Sequence, residues 1–115
     1  MTTKTATKKT TRHINPDGTV GGFIGPGATV APTAYVGYDA QVYGYAQVFG
    51  NASVSGHAEV FENARVGGDA SVFGYAKVYG SAGVSGAAKV YGSAEVSGTA
   101  ELAGALKLSG DGMLQ

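Results

Sequence analysis

Ala40-Gln41-Val42-Tyr43-Gly44-Tyr45 is followed by Ala46-Gln47-Val48-Phe49-Gly50-Asn51, and then by Ala52-Ser53-Val54-Ser55-Gly56-His57. Alanine, valine and glycine return in three fixed registers, so the unit reads A-x-V-x-G-x with a period of six. Outward from this stretch, alanine holds every sixth position from Ala28 to Ala100, and Leu106 takes the next slot. Two places after each stands an aliphatic residue, from Val30 through Val96 to Leu102 and Leu108. With 20 glycines and 14% charged residues, an aperiodic chain would read as low complexity. Fixed registers over fourteen units are instead the signature of a stacked repeat.

The unit has a simple physical reading. Alanine and valine stand two apart, so in an extended segment both point to one face while their neighbours point to the other. Glycine accepts the backbone angles of a tight corner. The residue after it is often a turn former, as in Asn51, Asn63, Asp69, Ser81 and Ser93. Each unit is therefore predicted to be a four-residue strand and a two-residue corner. Such a short strand is unstable alone and needs neighbours above and below.

Small inward residues at period six resemble the hexapeptide-repeat superfamily. The V-[YFS]-G-[NDSY]-A pattern is closest to the degenerate arrays of bacterial and phage members rather than to the enzymes. The approach Gly18-Thr19-Val20-Gly21-Gly22-Phe23-Ile24 also resembles the opening of such arrays. The resemblance covers roughly residues 20–111 and implies an all-β, single-stranded, left-handed parallel β-helix. Three six-residue units would make a triangular coil of 18 residues, giving between four and five coils. The left hand is what the resemblance implies, since the general crossover preference runs the other way. The expected organisation is a basic Thr-rich arm at 1–15, a lead-in and cap at 16–27, the β-helix at 28–111 and a C-terminal cap at 112–115. Ile14, Val20, Phe23 and Ile24 are expected to close one end. Leu102, Leu106, Leu108, Met113 and Leu114 are expected to close the other.

Folding the chain at 18 residues puts the aromatics on the outside in columns. One face stacks Tyr43, Phe61, Tyr79 and Ser97 beside Gln41, Glu59, Lys77 and Glu95, where charge alternates. A second brings Phe73 and Tyr91 together near Lys89, with Tyr35 at one end. The third is mostly small, apart from Phe49 and Arg65. The plainer reading is that these rings merely ladder along the coil. The preferred reading is that Tyr43, Phe61, Tyr79, Phe73 and Tyr91 are covered by another copy, because large exposed apolar patches mark interfaces. The resemblance implies a homotrimer.

Catalytic signals are thin. The acyltransferases of the resembled superfamily use a histidine base, and many carry a loop that interrupts the coils. Here the register runs unbroken from Ala28 to Leu108. His57 falls at a corner between Asp39 and Tyr75, a constellation that could act as a base. It reads first as a surface turn residue. The superfamily's anhydrases need three histidines, and this chain has His13 and His57. With 0 cysteines, thiolate metal sites and disulfides are excluded. Glu62 replaces a corner glycine beside Asn63 and near Arg65, a polar cluster on the solenoid edge that could contact a ligand or partner, and it reads first as a tolerated solvated substitution. No phosphate-cradling glycine motif precedes a helix. No catalytic, cofactor-binding or metal-binding residues are assigned, and no cofactor is expected.

Formal charge is +0 overall but lopsided: residues 1–15 hold Lys4, Lys8, Lys9 and Arg12 without an acid, and the remainder is correspondingly acidic. The arm has too little apolar surface to fold alone. It reads either as a solubilising tail or as a segment that docks on an acidic protein surface. Four charges without interleaved aromatics argue against nucleic acid as the partner. No apolar run could span a membrane, and no signal-peptide core is evident. The expected function is a non-catalytic structural protein, a trimeric prism anchored by its arm to a larger assembly such as a phage virion (a decoration, spike or fibre component). The expected place is the virion if phage-encoded, and otherwise the cytoplasm. The alternatives are a module binding ligands in clefts between protomers, with Tyr91 and Lys89, and an acyltransferase relative.

Overall fold

A computed structural model describes residues 11–110 and 112–114. Its described residues form strands β1 (Thr11–Ile14), β2 (Val20–Ile24), β3 (Thr29–Val30), β4 (Tyr35–Val36), β5 (Gln41–Val42), β6 (Gln47–Val48), β7 (Ser53–Val54), β8 (Glu59–Val60) and β9 (Arg65–Val66). They continue as β10 (Ser71–Val72), β11 (Lys77–Val78), β12 (Gly83–Val84), β13 (Lys89–Val90), β14 (Glu95–Val96), β15 (Glu101–Leu102), β16 (Lys107–Leu108) and β17 (Met113–Leu114). The chain is an all-β solenoid of about 5 turns, with paired strands 18 residues apart. Val48 pairs with Val66, and Val78 with Val96, each in parallel register.

Three sheets form the faces. Sheet A runs β1-β2-β5-β8-β11-β14-β17, sheet B β3-β6-β9-β12-β15 and sheet C β4-β7-β10-β13-β16. The ladder strands are two residues long where four were expected. The chain bends away on both sides of each A-x-V core, yet the coil-to-coil bonds continue: Phe49 N–H donates to Val66 O at 2.9 Å and Asn51 N–H to Gly68 O at 2.8 Å. The inward alanines from Ala34 to Ala94 are 0% exposed, and the valines from Val36 to Val96 are no more than 1% exposed. This is the narrow Ala/Val core that the registers predict.

The repeat extends past both expected ends. Phe23 and Ile24 pair with Gln41 and Val42, so the lead-in is already a sheet A unit with Gly22 in the alanine slot. Glycine is required there because a Cβ would sit 2.1 Å from Ala40 O. At the other end Met113 and Leu114 pair with Glu95 and Val96 and carry on the coil instead of folding across it.

The expected end plugs are revised accordingly. Ile24 and Leu102 join the core, and Leu108 and Leu114 pack partly against it. Ile14, Val20, Phe23, Leu106 and Met113 stay exposed.

The N-terminal segment differs more. β1 pairs antiparallel with β2, so residues 11–14 belong to the folded body and not to a free arm. Its side chains satisfy the open edge of the first sheet C strand. His13 Nε2 lies 2.8 Å from Ala34 O, and Asn15 Oδ1 accepts the Val36 N–H at 2.8 Å. Asn15 is itself buried. A sheet edge left open would expose unpaired backbone groups.

Candidate functional site

Sheet A carries the main outward feature. Its strands place Tyr43, Phe61 and Tyr79 one coil apart, so ring spacing is set by the distance between coils, about 4.8 Å. The observed centroid separations are 5.0 Å for Tyr43–Phe61 and 4.9 Å for Phe61–Tyr79, with ring planes within 5° of parallel. Each ring covers its neighbour's face, and the edges are left outward. All three are half-buried within one chain. On sheet C, Phe73 and Tyr91 form a shorter stack at 5.0 Å. None of the described aromatic rings enters the core.

The carboxylates beside the ladder have a different use from the alternating charge column expected. Glu59 and Glu95 do stand opposite Lys77 in register. Their oxygens, however, accept from tyrosines: Tyr43 donates to Glu59 Oε1 at 3.0 Å, and Tyr79 to Glu95 Oε1 at 2.8 Å. Burial first, and then this hydrogen bond, push the Tyr43 hydroxyl up to about 12. The Glu95 bond is the main cause that raises Tyr79. Both phenols are thus held protonated and pinned to the sheet.

Arg12, expected to anchor a partner, has its guanidinium between two rings of its own chain, 3.9 Å from the Phe23 centroid and 3.8 Å from that of Tyr38. Its Nη1 donates to Gly21 O at 2.9 Å and to Tyr38 O at 3.1 Å. Arg12 therefore holds the N-terminal cap together. Lys4, Lys8 and Lys9 lie outside the described residues.

His57 is exposed at the corner from sheet C to sheet A, and its ring stacks on Tyr75 at 5.1 Å. Among the described residues no three His, Asp or Glu side chains converge to hold a metal ion. No helix there is long and apolar enough to cross a membrane.

The corner at Glu62, already singled out as a replaced glycine, holds two features that the sequence did not reveal. Glu62 adopts φ 59° and is the one non-glycine with positive φ among the described residues. Its Oε1 accepts the Gly80 N–H at 2.8 Å. The glycines at equivalent corners signalled this conformation, but not that a carboxylate would close onto the next coil. The second feature is a polar hollow of about 520 Å³ beside that corner, lined by Tyr45, Gln47, Asn63, Arg65 and Ser81.

No family model, curated protein or solved structure matches this chain.

Proposed function

We propose that this protein is a non-catalytic structural component that self-associates, as a homotrimer, through its aromatic ladders. On this reading the segment before residue 11 fixes the prism to a larger assembly such as a phage virion. The observation that carries the reading is the Tyr43–Phe61–Tyr79 stack, three parallel rings whose edges form an apolar ridge on a rigid sheet. Burying a full aromatic side chain contributes about 1.5–3 kcal/mol. Rings already half-covered by one another offer about half of that, so one ladder of three supplies ~2–5 kcal/mol. Association costs about 4–15 kcal/mol, so one ladder is marginal. A ring of three closes through two different patches of the same chain. The Phe73–Tyr91 stack stands on a second face and supplies that other patch. The resemblance to hexapeptide-repeat arrays supports the same arrangement.

Phe61→Asp tests it by light scattering and circular dichroism. Because Phe61 lies outside the core, the variant is expected to keep its β spectrum and to lose association. An unchanged oligomer mass in a folded Phe61→Asp protein would remove sheet A from the interface.

A further inference from the structure

The corner from sheet A to sheet B is unlike the other two. Its outward column runs Tyr45, Asn63, Ser81 and Thr99, with Gln47 and Arg65 beside it on sheet B. Tyr45 is 73% exposed, the most exposed of the large apolar side chains. It has no ring one coil away on either side, so it is not consumed by a ladder as Tyr43 and Phe61 are. Its ring rests over Gly27, where a Cβ would lie 3.1 Å from Cδ1. The polar hollow runs from Tyr45 towards the later coils, past Asn63, Arg65 and Ser81. A second hollow shares Tyr45, Asn63 and Ser81 and has Glu62 on its wall.

Glu62 adds an independent pointer. Non-glycine residues in the left-handed region are costly and gather at ligand sites. Here the strained backbone and the Gly80 N–H together hold a carboxylate on the wall of the second hollow, beside the Tyr45, Asn63 and Ser81 that both hollows share.

We propose that this corner binds the pyranose rings of a neutral polysaccharide. Tyr45 is the stacking platform, and Gln47, Glu62, Asn63, Arg65 and Ser81 meet the hydroxyls. The chemistry selects the class. An apolar ring face needs an open aromatic, while a rim of neighbouring hydroxyls suits planar amide, guanidinium and carboxylate groups that can pair with two at once. Arg65 and Glu62 balance in charge, and Glu101 stands one further coil along from Gly83 on the same face. A phosphate-bearing ligand would therefore meet repulsion as well as attraction. Asn63, Ser81 and Thr99 repeat at the coil spacing of about 4.8 Å, so polar groups recur along the solenoid axis and suit a polymer of linked, repeating units better than a single small molecule.

The test is an amide-shift NMR titration with cellohexaose, maltohexaose and chitohexaose in turn, each taken to about 10 mM, which reaches millimolar dissociation constants. With at least one of them, saturable shifts are expected at residues 44–47, 62–65 and 80–82. Tyr45→Ala is expected to weaken that binding about tenfold or more, equivalent to about 1.4 kcal/mol. Tyr45→Phe and the distant corner variant Tyr75→Ala are expected to bind as wild type. Glu62→Gly suits the same backbone, and it is expected to weaken binding while leaving thermal stability nearly unchanged. The proposal is overturned by absence of saturable shifts with all three sugars, by shifts centred elsewhere, or by wild-type affinity in Tyr45→Ala. Association state does not enter these readouts, so failure here would leave the ladder interface standing.

Discussion

At the scale of single residues, corners and phenols carry the informative chemistry. Gly68 has φ 64°, and a Cβ on it would lie 2.9 Å from Gly86 N. Gly68→Ala therefore combines a disfavoured backbone region with a collision against the next coil. It is expected to cost about 1–3 kcal/mol in chemical denaturation. Wild-type stability in that variant would mean that the corners tolerate side chains freely.

Tyr43 supplies a pH dependence. Its hydroxyl is raised from 10.0 to about 12, so the folded chain holds this proton more tightly than the unfolded chain does. The corresponding stability is intact below about pH 10 and is lost as pH rises through about 12. Tyr43→Phe cannot ionise, and is expected to lose less stability over that window than wild type. Parallel stability profiles of the two proteins would contradict the assignment. Alternation told which side of the strand Tyr43 occupies, because that follows from spacing two. It did not tell that Glu59 would accept a hydrogen bond from that hydroxyl, since that depends on side-chain reach between neighbouring coils.

At the scale of elements, the ladder strands were legible and the cap was not. Each inner strand repeats one local rule, and Ala/Val against x/x decides inside from outside at every unit. The hairpin of β1 and β2 breaks that rule. Arg12-His13-Ile14 has no apolar alternation, and its order comes from contacts across the top of the first coil: His13 to Ala34, Asn15 to Val36, and Arg12 between Phe23 and Tyr38. Positive charge without acids reads as a solvated arm until two rings are brought around one guanidinium by the fold. Gly22 and Met113-Leu114 were missed for a smaller reason. Glycine in the alanine slot, at Gly22 and again at Gly112, disguises a register that the pairing makes plain. Arg12→Ala removes two cation–π contacts and two hydrogen bonds to backbone carbonyls. Hydrogen exchange is expected to quicken at residues 20–24 and 34–38, while β8 to β13 stay protected, since stacked repeats couple chiefly to their neighbours. Uniform loss of protection along the solenoid would instead indicate one cooperative unit, and unchanged exchange at the cap would remove Arg12 from its role.

At the scale of the whole molecule, the same geometry that seals a dry Ala/Val interior pushes every described aromatic ring outward. Stacking covers ring faces but leaves their edges as ridges on two of three sides. Single-chain physics accounts for the faces, and the proposed association would cover the edges. Sedimentation equilibrium of the intact protein over a range of concentrations measures this most directly. A species of three chains of 11.5 kDa each is expected, persisting on dilution to micromolar concentration. A single 11.5 kDa species at every concentration would contradict it, leaving the ladders as reinforcement of one solenoid and nothing more.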